Sequence, residues 1–534
     1  MPNERKQTFM RNVLTVVFSQ VAIKLLGFLY RVVITNIDGF QDVGNGYYNY
    51  GYQVYTLLLA ISSVGIPNAI AKLVSEKCVK NDFGGAYRIF RCALVLFSII
   101  GGSLSALLFI FAPGIATYIC GVPKVVHTLR VLAPAIFFVS VSSVVRGFFQ
   151  GMQNMKATSS SQVIEQFIKS TSTILIVLAI VGAEPEYMAA GATAATTLST
   201  ALSLLYLFWF YKANRKDIKE RLAASPATLK QPFLKIAKGI LFVSIPISLG
   251  AIISSLNRVL DLLTVVSGLK TALAASFPDA EALSEEAMRL SGMLSKSDVI
   301  INLPLALNIA FSTVLVPTVA GALAIGDRKT ASEKVSFSLL VSIIIALPAS
   351  LGCMILSNGI FRLIYPAASD GGLLFAMSAS TIFFSAITQT NSGSLQGMGK
   401  IFVPAIGLLL GGAAKLCANL ILIPIPSVNI YGAPIGSILC QAIACAVTFF
   451  VMKKNLDIKL DFNKYLLKPA IATAAMSLTA FLISHFAGST LLAIAAACVV
   501  YALFVFILRI FSDEELASLP FGTKLIKLSH LIVK

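Results

Sequence analysis

Apolar runs of roughly 20 residues, each able to cross about 30 Å of hydrocarbon as a helix, recur from one end of the chain to the other. About fourteen are readable, with cores at 9–35, 49–74, 88–111, 131–151, 160–182, 187–211, 237–265, 298–323, 335–357, 373–394, 401–424, 430–452, 466–487 and 489–511. None alternates apolar and polar residues as the strands of a transmembrane barrel do. A spanning backbone must satisfy its own hydrogen bonds in lipid, so these runs predict helices. Only 12% of the 534 residues are charged and 57% are hydrophobic, too little polar surface for a soluble globule. The expected class is an all-α integral membrane protein.

The chain also repeats itself. Gln150-Gly151-Met152 returns as Gln396-Gly397-Met398, an offset of 246 residues (396 − 150), and Ile136-Phe137-Phe138 returns as Ile382-Phe383-Phe384 at the same offset. Gly65-Ile66-Pro67 is answered more loosely by Leu315-Val316-Pro317. An even number of expected helices separates the copies, so both face the same way and the duplication is parallel. The expected organisation is a six-helix lobe over 1–212, a cytoplasmic linker over 213–236, a second six-helix lobe over 237–455, and two additional helices with a tail over 456–534. Within 267–296, an extracytoplasmic stretch, a short helix is expected to open at Pro278, with Glu285 and Arg289 paired four residues apart.

A net charge of +18 invites a nucleic-acid reading, but its placement argues otherwise. Lys and Arg gather in alternate loops, among them Lys72, Lys77 and Lys80, then Lys212, Arg215, Lys216, Lys219 and Arg221, then Arg328, Lys329 and Lys334. The intervening loops are poor in them, and one carries Glu184 and Glu186. This positive-inside pattern puts both termini in the cytoplasm and gives no reason to expect nucleic acid. The first run is too long for a signal-peptide core, so no cleavable leader is expected.

Catalytic and metal chemistry find little to stand on. The eight cysteines form no CxxC pair and the three histidines lie far apart, so neither a metal nor a disulfide is expected. Without a phosphate-binding loop or a positioned histidine base, the chain reads as neither an ATPase nor a hydrolase, and no cofactor is expected.

Charges inside hydrocarbon are where function is sought, because each costs about 2.5–3.5 kcal/mol to insert. Lys24, Arg31 and Asp38 follow one another at intervals of seven, which on a helix stacks them on one stripe about 10 Å apart. Glu165 and Lys169 sit four apart on the fifth run, and Arg258 and Asp261 three apart on the seventh, spacings that permit mutual neutralisation. Lys415 stands by itself in the eleventh. These eight residues are the candidate substrate-binding set. Arg146 and Lys156 flank the inner end of the fourth run, where topology alone accounts for them. Tyr47, Tyr48, Tyr50, Tyr52 and Tyr55 are expected to form an interfacial aromatic belt. Gly65-Ile66-Pro67, Pro304 and Pro317 predict bends within otherwise continuous helices.

Several segments resemble a known family. Phe18-Ser19-Gln20 with Lys24-Leu25-Leu26-Gly27-Phe28, Ser62-Ser63-Val64-Gly65-Ile66-Pro67 with Ala71-Lys72-Leu73-Val74-Ser75-Glu76, and Gly147-Phe148-Phe149-Gln150-Gly151-Met152 resemble the polysaccharide-exporter branch of the MOP flippase superfamily. The likeness extends to the stage V sporulation protein B group, which is similar to the MurJ lipid II flippases. It implies two six-helix lobes in a V shape around a cationic cavity, with two further helices forming a lipid-facing groove. It also implies that an undecaprenyl-pyrophosphate-linked saccharide is moved from the inner to the outer leaflet. Lys24 matches a first-helix position where the MurJ proteins favour arginine, and Arg31 falls one step out of register with their second. The partners expected are the lipid-linked saccharide and membrane lipids, with the membrane potential or a monovalent ion as energy source and a monomer as the working form. The rival reading on the same fold is a cation-coupled multidrug exporter of the MATE type.

Overall fold

The computed structural model describes residues 22–225, 232–456, 458, 461–517 and 522–532, and among them there are helices and connections but no β-strand. Two compact units divide the chain, Met1–Ser295 and Lys296–Lys534. In the first, α1 covers 22–35, followed by α2 (Gln41–Leu59), α3 (Ile66–Val79), α4 (Phe83–Gly114), α5 (Val126–Gly151), α6 (Lys156–Ala179), α7 (Pro185–Ala213), the short α8 (Arg215–Ala223) and α9 (Phe233–Leu273). The next helix, α10 (Ala280–Ala324), contains the division between the units. The second unit continues with α11 (Arg328–Ile355), α12 (Ser357–Ile364), α13 (Gly372–Ala379), α14 (Thr381–Gly397), α15 (Phe402–Leu422), α16 (Gly432–Asn455), α17 (Lys468–Ala487), α18 (Thr490–Ile507), α19 (Asp513–Ala517) and α20 (Gly522–Ile532).

Eleven helical stretches among the described residues are long and apolar enough to cross a membrane, and each coincides with one of the expected runs. Of the other three runs, 9–35 extends outside the described residues, as do Phe18-Ser19-Gln20 and the Pro226 end of the linker. The run 160–182 falls on α6, which carries Glu165, Gln166 and Lys169, and 298–323 falls on α10. The protein is therefore a multi-pass, all-α membrane protein. Phe109, Ile110 and Phe111 on α4 and Leu409 and Leu410 on α15 are exposed, as side chains facing acyl chains are.

Lipid removes most of the hydrophobic drive for helices to associate, so close packing of small residues matters more. A Cβ at Gly147 of α5 would sit 2.8 Å from the Pro67 carbonyl oxygen, and one at Gly151 would sit 2.7 Å from Val74, so these glycines let α3 lie against α5. In the second unit Gly393 and Gly397 of α14 do the same for α10, with 2.6 Å to the Ser312 oxygen and 2.7 Å to the Val316 oxygen. Around the first contact a core forms from Ile66, Ile70, Val74, Phe90, Phe148 and Phe149, with Phe90 and Phe148 stacked at 4.3 Å. Around the second, Leu315, Val319, Leu339, Leu395 and Met452 pack together.

The repeat is matched bond for bond where each helix ends. Met152 N–H donates to Phe148 O, Gln153 N–H to Gln150 O, and Asn154 N–H to Phe149 O; 246 residues on, Met398 donates to Ser394, Gly399 to Gln396, and Lys400 to Leu395. Gln153 (φ 62°) and Gly399 (φ 76°) both adopt the left-handed conformation that closes a helix of this kind.

Two expectations about local structure are corrected, the helix after Pro278 and the tyrosine belt. The segment after Pro278 is no separate helix: α10 begins at Ala280 and continues unbroken to Ala324, and the ion pair seen at Arg289 is with Glu286 at 2.8 Å. The bend at Gly65 is present, because α2 passes through a π-helical turn at Ala60–Val64 before α3 restarts with Pro67 in its first turn. Pro304 and Pro317 lie inside the single span of α10, within a continuous helix as expected. The tyrosines of α2 form no lipid-facing belt, since Tyr47, Tyr48, Tyr50 and Tyr55 are all buried within the first unit. Tyr50 donates from its hydroxyl to the Leu262 carbonyl of α9.

Candidate functional site

Helix α1 ends at residue 35, where Thr35 Oγ1 donates to Arg31 O and Asn36 Nδ2 to Val32 O, and Gly39 with φ +80° turns the chain toward α2. Asp38 is consequently in an exposed turn, off the stripe on which its spacing placed it. Arg31 stays on the helix and is buried, 7% exposed. Its Nη2 donates to Ser295 Oγ at 2.9 Å, its guanidinium carbon lies 4.4 Å from the Tyr48 ring centroid, and its buried Nη1 has no hydrogen-bond partner.

Tyr48 continues a ladder along α2. It stacks on Tyr52 with centroids 5.6 Å apart and planes 16° from parallel, and its hydroxyl is 3.0 Å from that of Tyr30 on α1. At the far end is Lys169 of α6, also 7% exposed. Its ammonium donates to Tyr52 Oη at 3.0 Å and lies 4.4 Å from the Tyr52 centroid and 5.8 Å from that of Tyr30. Two buried cations thus share one set of tyrosines, and among the described residues neither forms an ion pair with a carboxylate.

The expected Glu165–Lys169 pair does not form because Arg146 of α5 reaches Glu165 first. Arg146 NH2 lies 2.6 Å from Glu165 Oε2 and 3.0 Å from Ser203 Oγ, and Nε lies 2.9 Å from Ser161 Oγ. That network ties α5, α6 and α7 together and is neutral. Reading Arg146 as a consequence of topology alone missed it, since the partner comes from another helix and no spacing along α5 reveals it. The tyrosine ladder did leave a trace: positions 48, 52 and 55 share one helix face.

The energetics set the two clusters apart. A desolvated cation–π contact contributes about 2 kcal/mol, less than the several kcal/mol that removing a charge from water costs. Tyrosine faces and hydroxyls therefore leave Arg31 and Lys169 short of compensation, which a bound anion would supply. Arg146 has that compensation already. Lys24 is exposed on α1 within electrostatic reach of Arg258 on α9, and Arg258 NH2 donates to Ser255 Oγ at 3.0 Å. Asp261 lies one turn further along α9 and is partly buried. Lys415 belongs to the second unit, where it is buried against Gly436 of α16. Among the described residues no group of three His, Cys, Asp or Glu side chains is placed to hold a metal, and all eight cysteines are free.

Residues 9–323 match the polysaccharide biosynthesis protein family. The chain belongs to that family. It is 23% identical over 529 residues to stage V sporulation protein B of Bacillus subtilis, covering 98% of this chain and 99% of that one. It is 24% identical over 451 residues to the lipid II flippase MurJ of the same organism, covering 81% of this chain and 80% of that protein. The fold resembles the inward closed structure of lipid II flippase MurJ with a TM-score of 0.67, at 17% identity and covering 94% of this chain and 99% of the other. The family is thus the branch to which the Gly147–Met152 and Ser62–Glu76 motifs pointed.

Proposed function

We propose that the protein is a flippase that moves an undecaprenyl-pyrophosphate-linked saccharide, lipid II or another cell-wall or polysaccharide precursor, from the inner to the outer leaflet by alternating access. The observation that carries this reading is the pair of buried cations, Arg31 and Lys169, held on tyrosines without a carboxylate partner. A pyrophosphate is the anion such a site accepts: the guanidinium offers a planar fork of donors and the ammonium a point charge. Lys24 and Arg258 extend the positive field at the surface of the same unit and serve as the place of first encounter. The tyrosine faces suit sugar rings, and the lipid tail stays in the bilayer.

In this reading Asp38, Glu165 and Asp261 of the first unit and Lys415 of the second do not hold the phosphates. Two six-helix lobes, 1–212 and 237–455, rock about a path for the headgroup, with both termini in the cytoplasm of a bacterial cell. The membrane potential or a monovalent ion drives the cycle, and a monomer is the working form. Membrane lipids are the other partner. A multidrug exporter of the MATE type would need an acidic or apolar site for cationic drugs, which two uncompensated cations oppose.

Native mass spectrometry of the purified protein tests the substrate class. A co-purifying undecaprenyl-pyrophosphate lipid, lost in Arg31→Ala, is the expected result. Its absence from the parent, together with failure to complement a flippase-deficient strain, would overturn the reading.

A further inference from the structure

At the end of the first unit where α4 passes to α5, α6 to α7 and α9 to α10, residues 122–124, 184–186 and 280–285 surround a cavity of about 610 Å3. Pockets for small organic ligands span roughly 300–1,000 Å3, so this volume suits a monosaccharide or an amino acid rather than a bare ion. The absence of a metal-holding group of His, Cys, Asp or Glu among the described residues agrees with that. None of this wall takes part in the Arg31–Lys169 cluster.

The wall is a built one. Lys124 Nζ lies 3.2 Å from Glu186 Oε1 and 2.9 Å from Glu281 Oε1, so one ammonium ties the start of α5 to the starts of α7 and α10. Glu186 is 4% exposed. A hydrogen bond with Glu186 holds the Glu184 carboxyl above its ordinary range, which marks a local excess of carboxylate. Lys270 donates to the Gly121 carbonyl at 2.8 Å. Two groups are left over. Glu285 faces the cavity with no hydrogen bond or ion pair among the described residues. Tyr47, only 3% exposed, lies in the field of Glu186, Lys124, Glu285 and Glu281, and its hydroxyl has no hydrogen-bond partner among the described residues.

Four carboxylates stand against two ammoniums in this lining, so a ligand that completes it brings positive charge. We propose that the cavity binds a small polar molecule carrying a cationic amine, its ammonium taken by Glu285 and Glu184 and its hydroxyl or carboxylate groups met by Tyr47 and Lys270. An amine pairs with the Glu285 carboxylate and places a hydrogen-bonding group beside the Tyr47 phenol, which lines the cavity. The geometry makes this a second site, separate from that of the transported lipid.

Saturation-transfer NMR and calorimetry on the full-length protein in detergent test it, using glucosamine, glycine and ethanolamine, each against its N-acetylated counterpart, which carries no cationic amine. At least one amine is expected to bind saturably, with acetylation and Glu285→Gln each weakening it tenfold or more and Tyr47→Phe threefold or more. Glu285 is exposed, so its variant folds even where Tyr47→Phe proves unstable. The proposal is overturned by saturable binding of no amine, by equal binding of an acetylated counterpart, or by unchanged binding to Glu285→Gln. Complementation of a flippase-deficient strain, read separately, tells a failure here from a failure of the transport reading.

Discussion

Arg31 and Lys169 never touch, yet they depend on the same two tyrosine rings: the Arg31 guanidinium lies over Tyr48, and Tyr48 stacks on Tyr52, which accepts the Lys169 hydrogen bond. An anion arriving at either cation meets a surface whose second cation is two stacked rings away. Loss of either is therefore expected to cost more than one contact. Arg31→Ala and Lys169→Ala should each lower complementation of a flippase-deficient strain at least tenfold, as follows from losing a charge-assisted hydrogen bond of about 1.5–3 kcal/mol. Insertion should be normal or improved, since a buried charge is deleted. Full complementation at normal abundance would remove these residues from the transport path. Lys24→Ala and Arg258→Ala are expected to impair complementation by slowing substrate capture, an effect that high salt reproduces in the parent.

Tyr52 separates ring from hydroxyl. Tyr52→Phe keeps the stacked face and loses the bond to Lys169, whereas Tyr52→Ala loses both. Affinity for the lipid pyrophosphate should fall in the order parent, Phe, Ala. The Ala variant should also melt lowest in detergent, by about 2 kcal/mol more than Phe, which a thermal-shift series measures.

Arg146→Ala is expected to behave differently from both cations. It leaves Glu165 without its 2.6 Å partner in a position only 24% exposed. Breaking such a pair costs about 3 kcal/mol. The expected outcome is a lower melting temperature and reduced abundance, with the double variant Arg146→Ala/Glu165→Ala recovering part of the loss. A melting temperature equal to the parent's would contradict the structural role given to Arg146.

The duplicated helix ends make a paired prediction. Gln153→Gly should stabilise the protein and Gly399→Ala destabilise it, each by about 1 kcal/mol, because only one of the two positions carries the residue that enters left-handed conformation freely. Melting temperatures moving in opposite directions would bear this out.

Sidedness is checked by labelling. With cysteines placed at 184 and 216 in a cysteine-free background, an impermeant maleimide should label 184 and spare 216 in intact cells. The reverse pattern would invert the topology.

Much of this fold was legible because hydrocarbon leaves few choices: a long apolar run is a helix, and Gln150-Gly151-Met152 recurring at 396 marked two helix ends whose hydrogen bonds coincide. The buried charges of the first unit were legible as charges and not as pairs. Spacing along α6 put Glu165 beside Lys169, but Arg146 comes from α5, and periodicity within one helix carries no information about its neighbour. Asp38 was misplaced for a simpler reason: seven-residue spacing stacks side chains only while the helix lasts, and α1 stops at residue 35. The tyrosines of α2 looked interfacial because their composition is that of a belt. The hydroxyls of Tyr48 and Tyr50 find partners inside the protein instead, at Tyr30 and at the Leu262 carbonyl.

The hydrogen bond from Arg31 to Ser295 joins positions 264 residues apart. At roughly 5–20 residues per second of synthesis, α1 waits about 13 to 53 s between its own emergence from the ribosome and that of its partner on α10. Of the two partners described for the guanidinium, Tyr48 emerges early and Ser295 closes the interval. Early residence of α1 in the bilayer is thus provisional, and nascent chains stalled before residue 295 should leave Arg31 open to quality-control proteases that the finished protein resists.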